Sequence, residues 1–109
     1  MGVSNIKGGL SKPRRRLLEL FLRLLYGRIE GLVIRRGEPV LEPLPRIVRV
    51  TKYLPGENGR RPRGVDFLAH SDQVRALFRQ FDLLGDGIIE VLQVQNGLPF
   101  LGEVLGLPD

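Results

Sequence analysis

The sequence has 109 residues, of which 42% are hydrophobic and 27% charged, so it is long enough for one globular domain and too short for a second catalytic module. Its 17 Lys and Arg residues outnumber the 12 Asp and Glu residues and give a net charge of +5. Because the chain contains no cysteine, disulfides, thiolate metal sites and a cysteine nucleophile are excluded.

The first predicted element is a helix that is capped by Ser11, has a proline in its first turn and extends to about Tyr26, with Gly27 as its stop signal. Its apolar stripe is about 200° wide, because Leu20 and Leu22 flank the stripe on both sides. Two interpretations of this width are open. Either the same chain covers Leu20 and Leu22, or these residues form a self-association surface in a homodimer.

A hairpin is predicted next, with Arg36 and Gly37 at its tip. Pro39 beyond the tip indicates that the second strand lies at a sheet edge, where a missing N–H is tolerated. Residues 46–53 alternate in polarity and are rich in β-branched side chains, which predicts a further strand. Residues 54–64 are mainly Pro, Gly and Arg and predict a mobile linker.

Order is expected to resume near Val65, followed by a second helix with Ser71 as its cap. This helix is expected to stop around residues 85–87 and to lead into a strand over residues 88–94. The pair Asn96-Gly97 then predicts a type I′ turn, because both residues tolerate positive φ.

The two halves of the chain are similar to each other. Residues 14–41 and 74–101 are identical at 11 of 28 positions without a gap, and they share the string Gly-x-Ile-Glu-x-Leu-x-[Ile/Val]-x-x-Gly-x-Pro-x-Leu. We therefore predict an α+β fold in which a tandem α-β-β repeat forms a pseudo-two-fold antiparallel sheet of about four strands with two helices on one face. Residues 1–109 form a single domain, with repeat one at about 12–53 and repeat two at about 65–109.

Positive charge is concentrated in the first half. Residues 1–63 contain 15 Lys and Arg against five acids, whereas residues 64–109 contain two against seven. A basic half attracts DNA or RNA because neutralised phosphates release counterions, although the acidic half could equally balance it across an interface. A helix start can hold phosphate, and a hairpin tip can enter a minor groove. The candidate nucleic-acid-binding residues are Arg14, Arg15, Arg16, Arg28, Arg35, Arg36, Arg60, Arg61 and Arg63.

Aromatic residues do not interleave these cations along the sequence, which argues against a platform for stacking single-stranded bases. The matching positions of the second repeat lack most of these cations, so any binding face is expected to be one-sided.

Residues 17–52 contain LLYGRIEGLVIRRGEPVLEP followed by RIVRVTK, and they resemble the small bacterial YezD-like family. That family has a short helix, a Gly-x-[Val/Ile] strand, a glycine turn and a charged strand, and it has no established activity. The resemblance implies a hairpin module and pairing of two such units. This chain departs from the family in having two copies and a proline after the turn.

Two acidic patterns raise the question of a metal site. Residues 81–89 resemble part of an EF-hand loop, but Gln93 stands where calcium needs a bidentate glutamate. The same segment is loosely similar to the LAGLIDADG homing endonucleases, in which an acid at the end of each of two paired helices holds the catalytic metal. The first repeat has Tyr26 where the second has Asp86, so one chain would supply a single acid. A metal-dependent nuclease-like protein is therefore a remote alternative.

Other candidate catalytic groups have structural explanations. Glu30 and Glu90 occupy equivalent strand positions, where they could form a carboxylate pair or, as we prefer, lie opposite a strand arginine such as Arg46 or Arg49. A bulge at residues 30–31 would let Ile29 and Leu32 both point inward. His70, the one histidine, is expected to be a loop residue beside the cap of the second helix.

The chain starts without an apolar signal segment, and its apolar run over residues 17–25 is too short for a membrane span. We expect a cytoplasmic protein without a membrane partner, a small-molecule substrate, a metal or a cofactor. The predicted function is a non-enzymatic nucleic-acid-binding or regulatory module. The alternative is a protein-interaction or scaffold module that homodimerises through the first helix.

Overall fold

The computed structural model describes residues 10–51 and 64–105, which form three helices and five strands. The elements in chain order are α1 (Lys12–Leu24), β1 (Tyr26–Arg35), β2 (Glu38–Val40), β3 (Arg46–Arg49), α2 (Val65–Ala69), α3 (Asp72–Leu84), β4 (Gly87–Gln95) and β5 (Leu98–Leu105). The predicted linker of residues 54–64 lies outside the described residues except for Gly64. The short helix α2, which the sequence did not predict, begins where order was expected to resume.

Helices α1 and α3 are the two amphipathic helices that the sequence predicts. The hydroxyl oxygens of Ser11 and Ser71 accept hydrogen bonds from the backbone N–H groups of Arg14 and Val74, which satisfies one free donor at each helix start. The apolar stripes of both helices pack with the inward side chains of the strands into one core. The buried helix residues are Leu17, Leu18, Phe21 and Leu24 in α1 and Val74, Leu77, Phe78 and Phe81 in α3.

The end of α1 differs from the prediction. The chain leaves the helix at Leu25, whose φ of 58° is left-handed, and Tyr26 already belongs to β1. Gly85 ends α3 in the same way, with a φ of 68°. The predicted role of Gly27 as a helix stop was therefore wrong. Gly27 is needed because a Cβ at this position would overlap the carbonyl oxygen of Val48 in β3.

The sheet is antiparallel and has five strands, where about four were expected. Its order is β2-β1-β4-β5, and β3 pairs with β1 beyond the end of β2. In the second half, β5 pairs along the edge of β4 that corresponds to the edge of β1 shared by β2 and β3, so the described residues contain no separate counterpart of β3. Pro39 and Pro99 lie in the edge strands β2 and β5, as predicted. Of the predicted strand over residues 46–53, the described part pairs only as far as Arg49.

The register between β1 and β4 is symmetric with respect to the repeat. Ile29 pairs with Leu92 and Leu32 pairs with Ile89, and the 60-residue offset exchanges these two pairs. A two-fold axis between the two strands requires this register, so the pairing supports the pseudo-two-fold arrangement; superposition of the two halves stays a prediction. Gly31 has a φ of 75°, and Ile29 and Leu32 are both buried, but the register between β1 and β4 does not shift at the expected bulge. A register shift occurs at the equivalent position of the second repeat, where β4 pairs with β5 between Ile89 and Val91.

The two repeats also contact each other reciprocally through their hairpin tips. The Gly37 N–H donates to the Gly85 carbonyl (2.8 Å), and the Gly97 N–H donates to the Leu25 carbonyl (3.0 Å). Each tip thus satisfies a carbonyl at the C-terminal end of the other repeat's helix, where helix carbonyls lack partners of their own. Within residues 10–51 and 64–105, no helix is long and apolar enough to cross a membrane.

Gly85→Ala is expected to lower the free energy of unfolding by about 1–2 kcal/mol, because an alanine is strained at positive φ. No atom lies within 4 Å of the added Cβ, so the cost comes from the backbone alone. Urea unfolding followed by circular dichroism measures it. Gly64→Ala is the control, since Gly64 has an ordinary φ of −79° and equally open surroundings. Equal stabilities of the two variants would contradict the expected strain.

Candidate nucleic-acid interface

The three consecutive arginines at the start of α1 separate in the structure, because successive helical residues point in directions about 100° apart. The Arg14 guanidinium is directed inward, and its side chain is only 15% exposed. Its Nη2 atom donates to the Gly37 carbonyl (2.8 Å) and to Asp82 Oδ1 (2.7 Å), and the guanidinium lies 4.8 Å from the centre of the Phe78 ring. Arg14 therefore joins the two repeats and is not available to a phosphate.

Arg15 and Arg16 lie on the exposed face of α1 together with Lys12 and Arg23. We call these four residues the α1 basic face. Arg15 lies 4.0 Å from Asp66, whereas Lys12, Arg16 and Arg23 form no ion pair with a described residue. Glu19 is the one acid among the exposed residues of α1. The basic face is therefore only partly neutralised by the chain itself.

The hairpin tip of repeat one does not project freely. The backbone N–H of Arg36 donates to Asp86 Oδ1 (2.8 Å), and Gly37 is bound to the end of α3. The side chains of Arg35 and Arg36 are exposed, but the backbone that carries them lies against the second repeat. This packing does not favour insertion of the tip into a minor groove.

Arg28 lies on the face of the sheet opposite the helices and belongs to a charge cluster. Its Nε atom donates to Glu30 Oε2 (2.6 Å), and Arg46 Nε lies 3.3 Å from Glu30 Oε1. Glu30 pairs directly across the strands with Arg46, as preferred from the sequence. The hydrogen bond from Arg28 and the charges of Arg28 and Arg46 lower the pKa of Glu30, although desolvation partly opposes them.

The lowered pKa of Glu30 predicts a pH dependence of stability. Its contribution is complete above the ordinary value of 4.5 and is lost as the pH falls through the lower pKa of the folded state. Glu30→Gln should therefore make the thermal midpoint fall less steeply as the pH decreases below 4.5. Glu90→Gln is the matched control, because Glu90 is exposed and forms no ion pair with a described residue. If the thermal midpoints of Glu30→Gln and of the unmodified protein fell equally steeply with decreasing pH, this role of Glu30 would be contradicted.

A recess opens at one end of the sheet, beside the end of α1. Arg49 Nη2 donates to the Arg23 carbonyl (3.1 Å), and the Val50 N–H donates to the Tyr26 carbonyl (2.8 Å), so the end of β3 lies against the α1–β1 junction. The recess has a volume of about 300 Å³. We call it the end recess; it is lined by Tyr26, Gly27, Arg28, Val50, Gln93, Val94, Gln95 and Phe100.

Among the predicted binding residues that the structure describes, Arg28 alone lines the end recess. The other lining residues belong to β1, β4 and β5, apart from Val50, which follows β3. These segments are far apart in the sequence, so their proximity was not predictable from it. A signal was nevertheless present in the repeat: the two copies differ in residue type at Tyr26, Arg28, Gln93, Gln95 and Phe100. Arg60, Arg61 and Arg63 lie outside the described residues.

The proposed self-association residues Leu20 and Leu22 are half-buried and pack against the core. This is the arrangement expected if the same chain covers both flanks of the apolar stripe.

Three of the acidic and histidine side chains near the predicted second helix have partners within the chain. Asp82 binds Arg14, Asp86 binds the backbone of Arg36, and His70 Nδ1 contacts the Asp66 carbonyl (2.8 Å). Among the described residues, no three His, Cys, Asp or Glu side chains are grouped so that they could hold a metal ion.

Comparison of the chain with protein-family models, with curated proteins and with solved structures gave no match.

Proposed function

We propose that this protein binds nucleic acid through the α1 basic face together with Arg49, which lies beside Arg23. The observation that supports the proposal is the division of the cations. Asp82 binds Arg14, and Glu30 binds both Arg28 and Arg46. In contrast, no described carboxylate pairs with Lys12, Arg16, Arg23 or Arg49. Exposed cations on one side of the molecule attract phosphates, and the release of counterions supplies the free energy of binding.

The number of phosphate contacts sets the salt dependence. About four contacts give a slope of roughly −3 to −4 for log K against log salt concentration. The affinity should then fall roughly 50- to 150-fold between about 50 and 200 mM salt. Fluorescence anisotropy with labelled DNA and RNA, each single- and double-stranded, measures both the affinity and this slope.

Two double variants separate a defined surface from the effect of net charge. Arg16→Ser with Arg23→Ser removes two cations from α1, and Arg75→Ser with Arg79→Ser removes two exposed cations from α3. We expect the α1 variant to bind at least about tenfold more weakly, with a salt slope that is less negative by about 1.5. The α3 variant should change the affinity less than about threefold. Absence of binding at low salt, or equal losses in both variants, would overturn the proposal.

A further inference from the structure

The end recess combines three kinds of groups that recognise a nucleobase. Phe100 is 59% exposed and Tyr26 is half-buried, so the recess offers aromatic surface on which a base can stack. The side-chain amides of Gln93 and Gln95 can both donate and accept hydrogen bonds. Arg28 uses its Nε atom on Glu30, and no hydrogen bond within the described residues occupies its two Nη groups.

The internal repeat shows that the fold does not require these side chains. At the other end of the sheet, Ile88 pairs with Val33 as Arg28 pairs with Gln93, but the side chains there have different chemistry. The 60-residue offset of the repeat relates the recess residues to different residue types: Tyr26 to Asp86, Arg28 to Ile88, Gln93 to Val33, Gln95 to Arg35 and Phe100 to Val40. In contrast, the inward residues keep their type, as with Ile29 and Ile89. The aromatic and amide groups are thus confined to the end of the sheet that lies beside Arg23 and Arg49.

We infer that the end recess holds an unpaired base of a single-stranded nucleic acid, with the adjoining phosphates on Arg23 and Arg49. This inference rests on the proposed function and names its substrate class. A volume of about 300 Å³ is at the lower end of the range for small-ligand sites, which suits one base. Bases within a duplex are stacked and paired, so they do not present a face to the recess. Aromatic residues do not interleave the cations along the sequence, which argued against a stacking platform, but in the fold Tyr26 and Phe100 line the same recess as Arg28.

The experiment compares a labelled oligothymidylate of about 15 nucleotides with an abasic oligonucleotide of the same length, which keeps the phosphates and lacks the bases. The unmodified protein should bind the oligothymidylate about tenfold more tightly than the abasic strand. Phe100→Val introduces the residue of the other repeat and should abolish this preference while leaving the affinity for the abasic strand and for duplex DNA unchanged. Leu101→Val is the control, because Leu101 is an exposed neighbour in β5 that does not line the recess.

Gln93→Val is a second variant that also introduces the residue of the other repeat. If the circular dichroism spectrum shows that Phe100→Val does not fold, Gln93→Val tests the base site in its place and should reduce the preference for the oligothymidylate. Equal binding of both oligonucleotides by the unmodified protein would overturn the base site and leave the phosphate-binding surface intact. A preference that survives in both folded variants would also overturn it. Binding of neither oligonucleotide at low salt would instead remove the proposed function itself.

Discussion

Gly27→Ala should lower the free energy of unfolding by about 3 kcal/mol, the largest effect expected for a single added methyl group in this chain. The new Cβ would overlap the Val48 carbonyl oxygen and would lie 3.1 Å from the Arg49 Cα atom. Both are backbone atoms, so rotation of a side chain cannot relieve the overlap. The pairing of β1 with β3 would have to open, which would also displace Val50 at the end recess.

Urea unfolding followed by circular dichroism measures this effect, and Gly64→Ala again supplies the control with open surroundings. A loss of less than about 1 kcal/mol for Gly27→Ala would mean that β3 is not packed against β1 as described.

Arg14→Ala should lower the free energy of unfolding by about 2–3 kcal/mol. Removal of the guanidinium leaves the Gly37 carbonyl without this donor and exposes the faces of Phe78 and Phe81, over which it lies. The Nε atom of Arg14 lies 3.6 Å from Glu38 Oε1, which is too far for a hydrogen bond, and it has no other hydrogen-bond partner among the described residues. The hydrogen bonds of this side chain are therefore those of Nη2.

Arg15→Ala is the matched control, because Arg15 is half-exposed and its one ion pair spans 4.0 Å. A surface pair of this kind contributes at most about 1 kcal/mol. Arg14→Lys, which keeps the charge but loses the planar fork, should be intermediate. Thermal and urea unfolding of the three variants checks this order. If Arg14→Ala were no less stable than Arg15→Ala, the inward position of Arg14 would be wrong.

The sequence predicted those elements whose signals are local. The serine caps, the end of the second helix near Gly85 and the two hairpin tips depend on a few neighbouring residues, and all are present. The positive φ that the sequence predicted at Asn96 and Gly97 is also confirmed. The irregular backbone at Gly31 was also predictable, because the inward residues Ile29 and Leu32 are three positions apart.

Features that depend on contacts between distant residues were not predictable in this way. Leu25 gives no local signal for positive φ, and its conformation is held by the Gly97 turn of the other repeat. The requirement for Gly27 arises from β3, about 20 residues later in the chain. The triplet Arg14, Arg15 and Arg16 is a single run in the sequence, but the helix turns its members toward different environments.

The central claim is that the end of the sheet at the end recess carries side chains that bind nucleic acid, whereas the opposite end lacks them. Nitrogen–proton correlation NMR of the labelled protein during titration with oligothymidylate tests it most directly. The account predicts the largest shifts at Arg28, Gln93, Gln95 and Phe100, including the side-chain amides of both glutamines. Shifts of equal size at the opposite end of the sheet, at Val33, Val40 and Ile88, would contradict it.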